Sequence, residues 1–459
     1  MNWVDRLLEG VRGKTTGRTA GKTSGKATAK GRPGGLLRRR VDVLLGLDLG
    51  TSATKVMFTI PGSSEPPQPV KWPAPGGGQG YLSPSLVGVD LMGRIVYGEA
   101  AHVLGAAHAR VFRRSKMLVA DRHARGQFAD AGDWTGWNTA LRETGLAPEV
   151  VTPRAVTAAY LAWVACHAVA EISRTISAEV GRVRVNVCVP FGQHEHAAAR
   201  AAFTSAVAGA EALAAAPDAL EGDARAVLER AEQACDTAQW SREHSLWQLV
   251  PEAMASFVAV VKSRLARDGV YALYDIGEGT TDVTVMEHVQ RGPGNARQLY
   301  PGSRSIPKAV AWTEHQIEVR HLRGTRRGVA TRAVFDDWKA ATDDVWRDAY
   351  ATYRKEHHWV REQVRIYVAG GGSAIADFVA RLDKAWTPSF GPYRVEPLPS
   401  PHDYQWETWA PFVRMSVAYG LAHDLATMIE PVFPAAVGDR TPVQDVADAA
   451  EPDQLHPYD

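Results

Sequence analysis

Two stretches decide the fold: Leu47-Asp48-Leu49-Gly50-Thr51-Ser52 and Asp275-Ile276-Gly277-Glu278-Gly279-Thr280-Thr281-Asp282. Each follows an apolar run, residues 43–47 and 271–274, and each leads into another, residues 56–60 and 283–286. An apolar run broken by small and hydroxyl residues and then resumed reads as a β-hairpin. Glycine in such a turn lets the backbone approach a polyphosphate, so that amide N–H groups face its oxygens. Thr and Ser hydroxyls add donors. The aspartate does not bind phosphate directly, because both are anionic. It can hold Mg2+, or its water shell, against the phosphates. One such turn alone reads equally well as an ordinary hairpin. Two of them, with aspartates 227 residues apart, would clamp a nucleotide between them.

Outward from these turns, strands and helices alternate. Val183, Val185, Val187 and Val189 form a half-buried strand that ends at Pro190. Residues 365–369 form another, closed by Gly370-Gly371-Gly372-Ser373 and followed by a helix. The Ala-rich stretch 197–240 is helical in composition. The most apolar stretch, 155–172, carries His167 and Glu171 and reads as a buried helix rather than a membrane span. This alternation predicts an α/β fold.

The chain has 459 residues, enough for two lobes, with 45% hydrophobic and 22% charged residues. A net charge of +1 gives no overall pull toward nucleic acid or membrane, but it conceals two opposite tails. Residues 11–40 hold ten Lys or Arg and no acid, and residues 431–459 hold six acids and one Arg. Neither can bury enough apolar surface to fold alone. The basic one reads as a solvated tail or as a nucleic-acid anchor. Cys166, Cys188 and Cys235 are too few and too scattered for a disulfide framework or a zinc cluster, and a reducing cytoplasm is expected. Residues 1–10 lack the apolar core of a signal peptide. His194-Glu195-His196 and His357-His358 lack H-E-x-x-H spacing and a fourth ligand. The segment 381–412 is rich in aromatics (Trp386, Phe390, Tyr393, Tyr404, Trp406, Trp409 and Phe412) and reads as core packing or as a partner patch.

Together these stretches resemble the ATPase half of DnaK-type chaperones, in the actin/DnaK/hexokinase superfamily. Residues 47–52 resemble the first phosphate loop of that family and residues 275–282 the second. Val368-Ala369-Gly370-Gly371-Gly372-Ser373 resembles its adenosine motif. Pro251-Glu252-Ala253 and Val417-Ala418-Tyr419-Gly420-Leu421-Ala422 resemble the connecting motifs. Tyr81-Leu82-Ser83-Pro84-Ser85, Arg114-Ser115-Lys116-Met117-Leu118 and Val187-Cys188-Val189-Pro190 are weaker matches in the family's order. The resemblance covers residues 41–430. It implies an actin-like ATPase fold with two lobes, each a ribonuclease-H-like mixed sheet flanked by helices, and a nucleotide cleft between them. Lobe I would span 41–262, with 400–430 returning to it, and lobe II 263–399. Residues 1–40 and 431–459 would be tails.

The resemblance also implies the site. Asp48 and Asp275 would organise Mg2+ through water, and Glu252 would help position its shell. Lys116 would neutralise charge on the γ-phosphoryl group. Gly50, Thr51, Ser52, Gly277, Gly279, Thr280 and Thr281 would cradle the phosphates of ATP or ADP, with Thr280 also counted among the catalytic residues. Gly371, Gly372 and Ser373 would let adenosine approach.

Three departures stand out. Glu278 replaces a glycine of the family's second loop, Ala374 stands where an arginine is brought to the base, and only 96 residues separate Asp275 from Gly371. Arg304, Lys308 and the 320–332 cluster are candidate replacements for that arginine. The 38 residues after Leu421 are too few for a peptide-binding domain. The expectation is a slow ATPase acting as a nucleotide-dependent switch on a partner protein. An actin-like filament former and a pseudo-ATPase scaffold are the alternatives.

Overall fold

A computed structural model describes residues 40–432, except 74–78, 125–130, 190–195, 242, 264–265, 278–279, 293–294, 307–324, 354–363, 375 and 385–392. Residues 1–39 and 433–459 of the two tails, Pro190, His194-Glu195, Glu278, Gly279, Lys308, His357-His358, Trp386 and Phe390 therefore lie outside the described residues, whereas Arg40 and Pro431-Val432 belong to strands.

The protein is mixed α/β, with two six-stranded mixed sheets flanked by helices. The first sheet contains β1 (Arg40–Asp48), β2 (Ala53–Thr59), β3 (Gln68–Pro69), β4 (Ser83–Pro84), β5 (Glu179–Val189) and β6 (Trp247–Pro251). Its order is β6-β5-β1-β2-β3, with β4 also pairing β2. The second contains β7 (Gly269–Ile276), β8 (Thr281–Gly292), β9 (Asn295–Ile306), β10 (Val364–Ala369), β11 (Tyr393–Pro397) and β12 (Ile429–Val432). Its order is β11-β10-β7-β8-β9-β12. The pattern repeats. In each sheet the opening strand is antiparallel to the next, as β1 is to β2 and β7 to β8. On its other side it is parallel to two later strands in turn, β5 and β6 or β10 and β11. Both quoted turns are hairpins, as their sequences require.

Alternation along β7 explains how the second sheet is covered. Tyr271 and Leu273 join the large core that also holds the first sheet, whereas Val270, Ala272, Tyr274 and Ile276 face the other way. That opposite face is covered by the helix Thr325–Tyr353 through Phe335, Trp338, Val345 and Trp346. Trp346 Nε1 donates to Tyr274 Oη at 2.5 Å, satisfying both buried polar atoms.

The helices use local signals. The label α1 is given to Ser115–Ala124, α2 to Pro153–Thr175, α3 to Ala197–Ala214, α4 to Ala224–Thr237, α5 to Glu252–Lys262 and α6 to Phe412–Leu421. In α2, Pro153 occupies the first turn and the Thr152 hydroxyl accepts from Ala155 N at 3.1 Å. Among the described residues α2 alone is long and apolar enough to cross a membrane, yet it is 78% buried within the fold. The Ala-rich stretch divides into α3 and α4. Pro217 opens a short 3-10 turn and Gly222 takes a φ of +102°, a backbone region that ends a helix. His196 caps α3, its Nδ1 accepting from Ala199 N at 3.2 Å, which gives it a structural role.

Helix α6 is wedged between β1 and α5. A Cβ on Gly420 would lie 1.8 Å from Ala255 O, and one on Gly46 would lie 2.3 Å from Ala418 O. Gly420→Val is therefore expected to force these elements apart, destabilising the fold by about 1–3 kcal/mol as overpacking does. Urea denaturation measures it, and an unchanged midpoint would contradict the close approach of α6 and α5.

Candidate functional site

The carboxyl ends of the central strands of both sheets meet at one place. Asp48 is the last residue of β1 and Asp275 the second-last of β7, with Cys188 second-last in β5. Glu252 opens α5 directly after β6, where the helix dipole favours a carboxylate. Lys116 comes from the first turn of α1. In open α/β sheets this is the side on which ligands bind.

Their contacts form a chain of ion pairs and hydrogen bonds. Lys55 Nζ donates to Asp48 Oδ2 at 2.7 Å. Lys116 Nζ donates to Glu252 Oε1 in a buried, very close pair. Cys188 Sγ lies 3.4 Å from Asp48 Oδ1 and 3.3 Å from Glu252 Oε1, so its single hydrogen can be given to either. Burial, and then the Glu252 carboxylate, push that thiol well above its ordinary pKa, so it stays protonated and donates. Burial is the largest single influence on Lys116 and opposes its charge, but Glu252, Cys188 and Asp48 together outweigh it and hold the ammonium above its usual range. Burial again opposes the charge on Lys55, Asp48 and then Asp275 favour it, and the net shift is upward.

Asp275 is half-buried at this junction. Its pKa is pushed up to about 7, first by desolvation and then by Glu252 and Asp48, with Lys55 and Lys116 pulling back. Gly370 packs against it. A Cβ on Gly370 would lie 2.4 Å from Asp275 Oδ1, and its φ is +82°, so both room and conformation require glycine.

The remaining residues fall around this cluster. Gly50 N donates to Asp48 O at 3.1 Å, turning the first hairpin. Thr51 is half-buried and Ser52 exposed. Gly277 N donates to Thr280 O at 2.8 Å, closing the second turn, and Thr280 and Thr281 are buried. Gly371 is exposed and Gly372 buried, in a short 3-10 turn. Ser373 Oγ donates to Gly370 O at 2.7 Å and so caps that turn. Gly279 and Glu278 lie outside the described residues.

Two residues at the centre escaped the sequence reading. Lys55 was legible: counting outward from Thr51 and Ser52 along a two-stranded hairpin puts Lys55 opposite Asp48, which is the observed register. Cys188 had only its place in a weak motif. Arg414, in the first turn of α6, gave no signal at all. Its Nε would stand 3.8 Å from a Cβ on Gly371. The basic residues considered for the base (Arg304, Lys308 and the 320–332 cluster) fall wholly or largely outside the described side chains. The chain matches no protein-family model and no curated protein.

Proposed function

We propose that this chain is a Mg-ATP-binding protein of the actin/DnaK type, a slow ATPase whose nucleotide state switches its hold on a partner protein. One observation carries the reading. The two D-[LI]-G hairpins, far apart in sequence and on different sheets, bring Asp48 and Asp275 into one electrostatic cluster with Glu252 and two lysines. The repeated strand order, with its antiparallel second strand, supports a ribonuclease-H-like sheet in each of two lobes.

The donor set suits a hard dication beside phosphates. Among the described residues three carboxylates gather with two lysines, Lys55 and Lys116, and burial first, then Glu252 and Asp48, make ionised Asp275 costly, a cost that Mg2+ would offset. Asp48, Asp275 and Glu252 are the residues that would hold it, directly or through water. Cys188 is a soft donor that Mg2+ does not take, and it remains a hydrogen-bond donor to the carboxylates. When bound, the ion supplies charge neutralisation to the phosphoryl oxygens. Lys116 and Lys55 add fixed positive charge in a water-poor setting, where it costs no reorganisation. Asp275, beside those groups, can orient an attacking water. Three free buried cysteines suit a reducing cytoplasm.

Binding to the folded state alone stabilises by RT ln(1 + [L]/Kd), about 2.7 kcal/mol at a hundredfold excess over Kd. Mg-ATP at millimolar concentration should raise the melting temperature by several degrees, and EDTA should remove most of the gain. No shift with ATP or ADP would sink the nucleotide reading.

A further inference from the structure

Lys116 reaches the carboxylate cluster from the first turn of α1. A second helix, Ala131–Thr144, grips α1 on both sides of that lysine. Before it, Arg114 Nη1 donates to Asp133 Oδ1 at 2.7 Å, where the Asp133 side chain is 8% exposed. After it, Trp134 Nε1 donates to Asp121 Oδ2 at 2.7 Å. One turn further along the same helix, Trp137 packs on Phe112, with ring centroids 4.9 Å apart. The backbone of Arg114 is unusual. Its φ is +55°, and among the described non-glycine residues Ser177 alone shares a positive φ. That region is costly for a residue with a Cβ, and it persists where the surroundings enforce it. At Arg114 two restraints do so. Its carbonyl accepts from Met117 N at 3.0 Å and from Leu118 N at 3.2 Å, opening α1, while its guanidinium is fixed on Asp133. A return of Arg114 to an ordinary φ would redirect the first turn of α1, and Lys116 lies two residues on. The Lys116–Glu252 pair is buried, and a buried pair is favourable only while its geometry is kept.

We propose that Asp133 is a positioning residue for Lys116: by holding Arg114 in the left-handed conformation, it sets the direction of α1 and so the reach of the Lys116 ammonium to Glu252. The bearing on phosphoryl transfer rests on the nucleotide reading above, whereas the coupling of Asp133 to the buried pair does not. The bonds from Trp134 to Asp121 and the packing of Trp137 on Phe112 survive replacement of Asp133, so the two helices stay together and the first turn of α1 alone loosens. A plain structural clamp has a different signature. It lowers stability by the same amount whether or not Lys116 and Glu252 are present, whereas a positioning residue weakens the interaction between them.

The test is a double-mutant cycle on the full chain, run in two backgrounds. Denaturant titration of Lys116→Met, Glu252→Gln and the double variant gives the coupling of the pair, first with Asp133 intact and then with Asp133→Ala. The expected result is that Asp133→Ala removes about half or more of that coupling. As a control, Arg154→Ala breaks the ion pair to Glu232, and it should lower stability while leaving the Lys116–Glu252 coupling unchanged. Should Asp133→Ala not fold, Asp133→Asn removes the charge while keeping the volume and gives the same comparison. An unchanged coupling in the Asp133 variant would overturn the proposal and leave Asp133 as a clamp only. An equal loss of coupling in Arg154→Ala would overturn it too, because the effect would then follow general loosening of the fold. Under the nucleotide reading, Asp133→Ala should also lower kcat for ATP about 10- to 100-fold with KM nearly unchanged, the cost of a misplaced group. Absence of ATP hydrolysis in the wild type would remove the nucleotide reading, while the coupling still decides the positioning role.

Discussion

Lys116→Met should destabilise the protein by about 3–5 kcal/mol, the cost of leaving one member of a buried ion pair without its partner. The Lys116 and Glu252 side chains are only 5% and 8% exposed, so water cannot replace the lost ammonium. Glu252 also shares its surroundings with Asp48 through Cys188, and with Asp275, so the loss leaves three acids with Lys55 as their one lysine among the described residues. The double variant Lys116→Met/Glu252→Gln should recover most of the loss, since replacing both members of such a pair is often close to neutral. Denaturant titration of the two single variants and the double variant gives the coupling directly. A loss below about 1 kcal/mol in Lys116→Met, the range of exposed pairs, would mean that the pair is solvated. Under the proposed function the double variant regains stability without regaining ATP turnover, which separates the structural role of the pair from its chemical one.

Asp275→Asn is expected to move activity and stability in opposite directions. Under the proposed function, ATP turnover should fall by about 10²–10³, the usual loss when one polar group aimed at the reacting atoms is removed. Asp48→Asn should cause a similar fall while keeping a side-chain acceptor for Lys55. Stability follows from linkage. The pKa of Asp275 lies above the ordinary carboxylate value of 3.8, at about 7, so the folded state binds more protons than the unfolded one between those limits. Stability therefore declines as pH rises from about 4 to about 7, and the full cost of the ionised carboxylate is present above that. Asparagine removes this cost. At pH 8 the variant should be more stable than wild type by on the order of 1 kcal/mol, after allowance for solvent near a half-buried side chain. The gap should close toward pH 4. A variant less stable than wild type at pH 8, or one with unaltered turnover, would contradict the place given to Asp275.

The hairpins were legible because their information is local. An apolar run, a glycine–hydroxyl turn and a second run specify both strands and their pairing, and the counts place Asp48 opposite Lys55 and Asp275 opposite Asp282. The strict valine alternation of residues 183–189 specified a strand, observed as β5. The apolar stretch inside α2 could be read as buried because His167 and Glu171 interrupt it, and Trp72 indeed stacks on His167 at 4.5 Å. The Ala-rich stretch was legible as helix, but its division needed the geometry of Pro217 and Gly222. Ser373 was legible as part of a glycine turn, yet whether its hydroxyl faced a ligand or the turn's own carbonyl was not encoded in the motif.

What the sequence by itself determined is the set of local elements and the face or end on which each chemical group sits, because strand period, turn chemistry and helix caps act over a few residues. What only the tertiary structure decided is which groups from different elements meet. Lys116 finds Glu252 across 136 residues. Cys188 slips between two carboxylates. Helix α6 runs against α5 because Gly420 has no Cβ, which would lie 1.8 Å from Ala255 O. Such meetings depend on how side-chain volumes fill the space between sheets and helices. That packing is a property of all the covering elements together, and no short-range periodicity in one of them contains it.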